Sequence, residues 1–191
     1  MARPRKFDTD TVLDAAMQVF WQKGYDGTTT DDLEAETGLK RGSIYNAFED
    51  KRGLYLAVLD HYGRREMGEA AFLFREAGSF VEAVGGLMER AIKQTEREGI
   101  RRGCLACDAA VERASHDPEV AARVQVALDL LRRAIVERLR DEGGWIISLE
   151  AEADHLTSAY MGLRVFAKAG YPMTVLRNIL KTSVERYERA S

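Results

Sequence analysis

Three observations predict an all-α chain of about nine helices. Its 191 residues contain only three prolines. No segment alternates apolar and polar residues with the period of a strand. Almost every segment instead repeats its apolar residues three or four apart, as one buried helical face requires.

The first helix is expected from about Thr9 to Lys23, with Val12, Ala16, Val19 and Phe20 on one face. Thr29 and Asp32 form a capping-box-like start to a short second helix, with Asp in place of the usual Glu or Gln. Leu33 is its apolar residue. Gly38 stands where that helix must stop and the chain must turn, a left-handed position that glycine reaches at little cost. Leu39 plugs the angle, and a third helix runs from about Arg41 to Ala47, with Ile44 and Phe48 facing inward. The fourth opens at Lys51, carries Leu54, Val58, Leu59 and Tyr62 inward, and continues towards Phe74.

Gly78-Ser79 breaks that helix, and Ser79 with Glu82 is a second capping box. The fifth helix shows Phe80, Val84, Leu87, Met88, Ala91 and Ile92 at helical spacing. Its Gly85-Gly86 pair costs about 1 kcal/mol per residue in propensity, which a close helix contact or a kink would explain. A turn at Gly99 to Gly103 leads to a short sixth helix from Cys104 to about Ala114. Asp117-Pro118-Glu119 places a cap, a first-turn proline and an acid at the start of the seventh, which Gly143-Gly144 closes. Ser148 caps the eighth, with Leu149, Ala153, Leu156, Tyr160, Leu163 and Phe166 recurring, and the acids Glu150, Glu152 and Asp154 read as a solvated first turn. Gly170 ends it. Pro172 starts the ninth, which carries Leu176, Ile179, Leu180, Val184 and Tyr187.

Residues 29 to 51 therefore read as a helix-turn-helix, which predicts that the chain reads double-stranded DNA. Lys40, Arg41, Ser43 and Asn46 are left facing out. They are groove-facing types: cations for phosphate and guanine, an amide for adenine, a hydroxyl for either. Gly42 keeps the helix surface low, and Tyr45 can set its hydroxyl on a phosphate. Lys51 offers both a helix N-terminus and an ammonium to a phosphate. Upstream, Arg3, Arg5 and Lys6 form a short basic arm able to reach a minor groove or the backbone. Glu34 stands where such motifs usually carry Ala or Gly, so its stem must bend outward or the two helices must sit apart. The division is a DNA-binding head over 1–52 and a helical regulatory body over 53–191.

The formal net charge is −3, so DNA binding has to depend on a local basic face set against an acidic remainder. No apolar run approaches the roughly 20 residues that span a bilayer, and the N-terminus lacks the apolar core of a signal peptide. A cytoplasmic protein, with its two cysteines reduced, is expected.

The order and spacing of these residues resemble the TetR family of transcriptional regulators. The matching run is Val12-Leu13-Asp14-Ala15-Ala16, Phe20, Gly24-Tyr25, Thr28-Thr29, Asp32-Leu33, Thr37-Gly38-Leu39, Gly42-Ser43-Ile44-Tyr45-Asn46-Ala47-Phe48, Asp50-Lys51 and Leu54. The resemblance covers the first sixty residues. It implies a homodimer built from the last two helices of each chain and a palindromic operator. It also implies a body that binds an as yet unknown small-molecule effector, most often as a repressor. Phe72, Phe74, Met88, Trp145, Tyr160, Met161 and Phe166 are apolar or aromatic enough to line an effector pocket. Arg164 is the polar candidate, for a ligand anion or for an acid across the dimer. Thr29, at the start of the second helix, is also placed in the DNA-contacting set.

Gly103-Cys104-Leu105-Ala106-Cys107 is the second point of interest. Cysteines at i and i+3 share a helix side. A helix start, with Arg101 and Arg102 just before it, favours thiolate. The Gly-Cys-Leu triplet resembles that of TetR-type regulators that sense electrophiles or oxidants. The bland alternative is that both cysteines are small core residues. Cys104, Cys107 and His116 give three zinc donors with no second pair, so no metal site is assigned. His61 reads as a partly exposed structural residue. There is no phosphate loop, nucleophile elbow or paired-carboxylate signature. No enzyme activity and no cofactor are expected. The rival function is a thiol-based redox, electrophile or metal protein acting through Cys104 and Cys107.

Overall fold

The computed structural model describes residues 7–98, 103–143 and 148–188. The expected basic arm (Arg3, Arg5, Lys6), Arg101, Arg102, Gly144 and Trp145 lie outside the described residues. Among those described, the chain forms nine helices and no strand. α1 is Thr9–Gly27, α2 Thr30–Thr37 and α3 Arg41–Phe48. α4 runs over Lys51–Tyr62, passes through a π-helical turn at Gly63–Met67 and continues over Gly68–Glu76. α5 is Phe80–Glu98. α6 is Leu105–Ala109 followed by a π-helical turn at Ala110–Ala114. α7 is Pro118–Glu142, α8 Leu149–Ala169 and α9 Met173–Glu188.

Caps set most boundaries. The Thr29 side chain accepts from Asp32 N and Asp32 reaches back to Thr29 N, the full capping box. Gly38 ends α2 at φ 68°. Asp50, Asp117 and Ser148 accept from first-turn amides of α4, α7 and α8. α1 runs one turn further than the apolar pattern indicated, through a kink at Gly24 with φ 71°.

The long α4 joins head to body. It packs on α1 with its first half and along α7 with both halves. At its π-helical turn, a Cβ on Gly63 would stand 3.3 Å from that of Ala127, so glycine lets α7 come close. α9 packs on α5 and α8. A Cβ on Gly85 would meet Val184 Cγ2 at 3.6 Å, so the Gly85 site is a helix contact rather than a kink. One continuous core runs from Leu33 and Ile44 in the head to Leu163 and Leu176 in the body.

Three expectations for side chains are corrected. Phe166 is not on the inner stripe of α8: it is 36% exposed and its ring lies tilted against that of Tyr171, centroids 4.3 Å apart. Glu152 is not solvated. It is buried and takes hydrogen bonds from Arg186 at 2.6 Å and Tyr187 at 2.8 Å, which join α8 to α9. His61 is buried against α1, with Nε2 2.7 Å from Asp14 Oδ1.

Candidate functional site

α3 is shaped by one anchor. Ile44 is fully buried, and burying such a side chain contributes roughly 2–3 kcal/mol, so it fixes which side of the helix faces inward. The opposite side leaves Arg41, Gly42, Ser43 and Asn46 exposed, with Lys40 just before them. Arg41 lies over the Tyr45 ring at 5.1 Å, and the Tyr45 hydroxyl is 3.1 Å from Thr30 Oγ1. Both side chains are thus held near the start of α2 rather than waving free.

Glu34 is half-buried and reaches across from α2 to the start of α3. Its carboxylate accepts from Arg41 N at 2.6 Å and lies 3.8 Å from Lys40 Nζ. Lys40, the N-cap residue of α3, supplies no side-chain cap. Glu34 supplies it instead, and an acid at a helix N-terminus is electrostatically favoured. Thr29 is committed to its capping box, leaving only its hydroxyl hydrogen for another acceptor. Lys51 starts α4 with its ammonium 4.5 Å from the Tyr25 ring centre. Asp32 is tied to α1 through Lys23 at 2.6 Å; that hydrogen bond and those from Thr29 hold its carboxyl at about 2.

The head is gripped from behind by the body. Glu112, on the π-helical turn of α6, accepts from Tyr25 N at 2.9 Å and Asp26 N at 2.8 Å. These amides become available because α1 kinks at Gly24, where a Cβ would lie 3.0 Å from the Glu112 carboxylate oxygens. Arg113 lies over the Tyr25 ring at 4.6 Å. A second tie joins Arg52 of α4 to Asp117 at 2.7 and 2.8 Å and to Glu119 at 2.8 Å. The Arg52 hydrogen bonds hold the Asp117 carboxyl at about 2. Sequence reasoning missed both ties. Gly24 was legible as part of a motif, but nothing in the pattern marked Glu112 as its partner.

Beside this grip lies a cavity of about 450 Å3, bordered by Trp21 and Gly24 of α1, Cys107 and Glu112 of α6, and Val165 and Lys168 of α8, with Cys104 at its wall. Lys168 pairs with Asp108 at 2.7 Å. Of the effector candidates, Cys104, Cys107, Arg164 and Tyr160 come together behind this cavity; Phe166 does not join them. Phe74 and Met88 are core, and Phe72 is exposed on α4.

Cys104 is buried, with Sγ 3.2 Å from the Tyr62 hydroxyl and 3.6 Å from Met161 Sδ. The Cys107 thiol hydrogen-bonds to it, which, with the nearby Arg164 cation and Tyr62, pulls the Cys104 thiol down against the effect of burial. That same hydrogen bond and burial push Cys107 up. Arg164 is buried too. Its guanidinium donates to Gly103 O through Nε at 2.9 Å and to the Tyr160 hydroxyl at 3.0 Å, and no carboxylate among the described residues pairs with it. Within the single chain it faces inward. His116 is exposed in the turn after α6, away from the thiols. No cluster of three His, Cys, Asp or Glu suited to a metal occurs among the described residues. No helix among them is long and apolar enough to cross a membrane.

Residues 12–58 match the family model for bacterial regulatory proteins of the tetR family. The HTH-type transcriptional regulator YezE of Bacillus subtilis is 27% identical over 96% of this chain and 98% of its own length. The HTH-type transcriptional repressor ComR of Escherichia coli is 50% identical over 31% of this chain and 29% of its own. Among solved structures, a cysteine variant of the TetR family regulator CifR, bound to a 26-bp double-stranded operator, superposes with a TM-score of 0.77. It shares 26% identity over 96% of this chain and 98% of that one.

Proposed function

This chain belongs to the TetR family of helix-turn-helix transcriptional regulators, and from that premise we propose that it is a homodimeric repressor released from a palindromic operator by a small effector. The observation that carries the DNA-reading part is the exposed row Arg41, Ser43 and Asn46 on a helix locked by buried Ile44. Arg41, Ser43 and Asn46 face base edges, while Lys40, Tyr45, Lys51 and the hydroxyl of Thr29 meet phosphates, with Gly42 at the closest backbone approach. The arm residues Arg3, Arg5 and Lys6 add phosphate or minor-groove contacts.

The effector enters the cavity behind α1, where Cys107 stands about one helical turn, and Cys104 about two, before Glu112. Occupancy there shifts α6 and with it the Glu112 hold on the kink, which changes the separation of two heads that must sit about 34–36 Å apart to fit successive major grooves. Dimerisation uses the groove between α8 and α9, lined by His155, Ala159, Val175, Ile179 and Thr182. The rival reading, a redox or metal protein with the head as a protein-interaction module, gains nothing from relatives that are DNA-binding regulators. Selection of the protein against a random DNA library is expected to enrich one palindromic motif; recovery of no motif sinks the proposal.

A further inference from the structure

The cavity between α1, α6 and α8 is walled largely by carbon. Trp21 lines it, buried and set edge-on to Tyr62 at 5.3 Å. The stem of Lys168 adds methylenes to the wall, lying so close on the chain that a Cβ on Gly103 would stand 2.8 Å from Lys168 Cδ. At the border stand Val111, on the π-helical turn of α6, and Val165 of α8. They are 87% and 49% exposed, and Val111 is the most exposed large apolar side chain among the described residues. One such side chain on a surface is ordinary. Two from different helices, on the border of one cavity, mark apolar surface that an occupant would cover.

The charges around the cavity balance. Asp108 and Glu112 are the acids, Lys168 and Arg164 the cations. Lys168 Nζ is 2.7 Å from Asp108 Oδ2, and the buried Arg164 guanidinium acts on the same carboxylate. Glu112 has both oxygens committed, to Tyr25 N and Asp26 N. An anionic occupant would have to take Lys168 from Asp108. A cationic one would have to take a carboxylate from Lys168 or from the two amides. Either leaves a partly buried charge without its partner, which is costly. An uncharged occupant needs none of these groups.

We propose that the cavity takes an uncharged, largely apolar molecule, held without a covalent bond between Val111 and Val165 and against Trp21, and that this class of molecule is the effector. The volume of about 450 Å3 suits a small ligand. The effector role rests on the reading of the chain as an effector-released repressor. Val111 and Glu112 are neighbours on one π-helical turn. Closing Val111 over an apolar occupant removes its surface from water and moves that turn towards α8. The Glu112 carboxylate moves with it, away from the amides of α1.

The test uses three naphthalene probes on the full-length protein. N-phenylnaphthylamine is uncharged, anilinonaphthalenesulfonate carries the same rings with an anion, and naphthylmethylammonium is a cation. In the Trp145→Phe protein Trp21 is the one tryptophan left, so energy transfer from it to the uncharged probe reports the site. Saturable binding of one uncharged probe per chain is expected, with that transfer. The sulfonate should bind about tenfold more weakly, and the ammonium should not displace the uncharged probe. Val165→Asp and Val111→Asn, both at exposed positions, should weaken binding about tenfold with circular dichroism unchanged. Cys107→Ala should bind as wild type does, since no bond to sulfur forms. Phe72→Asp, exposed on α4 and outside the cavity border, should do the same. Equal binding of charged and uncharged probes overturns the ligand class. Unchanged binding by both valine variants, or loss in Cys107→Ala or Phe72→Asp, overturns the site. Operator binding is read separately. The uncharged probe should release the selected DNA from wild type and not from Val165→Asp. Stoichiometric binding without release overturns the effector role. Failure of the probe-free protein to hold any DNA would sink the repressor reading and leave the probe stoichiometry standing.

Discussion

At the scale of single residues, charges set in small networks carry most of what can be tested. Asp117 caps α7 and takes the two Arg52 hydrogen bonds that tie head to body. Its carboxyl is held at about 2 against an ordinary 3.8. The stability it contributes is therefore complete above about pH 4, declines as the pH falls towards 2, and is gone below that. Denaturant midpoints taken between about pH 5 and pH 2 should fall more steeply for wild type than for Asp117→Asn, which keeps a capping oxygen but has no charge to lose. On the DNA face, Asn46→Ala should relax base preference at one position of the half-site, by roughly 1–3 kcal/mol. Lys51→Ala should instead weaken binding to all sequences alike and flatten its salt dependence. Filter binding of the selected site and of single-base variants at several salt concentrations separates the two effects. These outward positions were legible because helical spacing around Ile44 and Phe48 assigns them. Arg164 was singled out as polar within an apolar stripe, but its main-chain acceptor, Gly103, lies far along the chain, and spacing cannot reveal it.

At the scale of elements, the recognition helix depends on a residue outside itself. Glu34 caps α3 from α2 through Arg41 N. Glu34→Ala should lower stability by about 1 kcal/mol, as loss of a helix cap does. It should also strengthen DNA binding at low salt, because an acid leaves the basic face. Thermal melts and DNA titrations on the same preparation check both signs. If binding weakens in proportion to stability, the cap matters more than the charge. The nine helices themselves were readable from capping residues, glycines and apolar spacing, since each of these acts within a few residues. The π-helical turns at Gly63–Met67 and Ala110–Ala114 were not readable. They answer to tertiary contacts, Ala127 against Gly63 and Glu112 against α1, which a local pattern does not encode.

At the scale of the whole molecule, α8 and α9 pack on each other and leave a groove between Ala159 and Ile179 facing outward. Leu163 is fully buried within one chain, so a charge there would test folding rather than assembly. Ile179→Glu addresses assembly, and sedimentation should show it as a folded monomer where wild type is a dimer; a wild-type monomer at micromolar concentration counts against the proposed assembly. Glu112 joins the two parts differently. It holds the head through main-chain amides of Tyr25 and Asp26, and the one residue type it demands there is a glycine at position 24. The body thus grips the head without reading its side chains. Recognition helices can diverge towards new operators while the control body stays unchanged, and a head transplanted from a relative with that glycine should come under the same command.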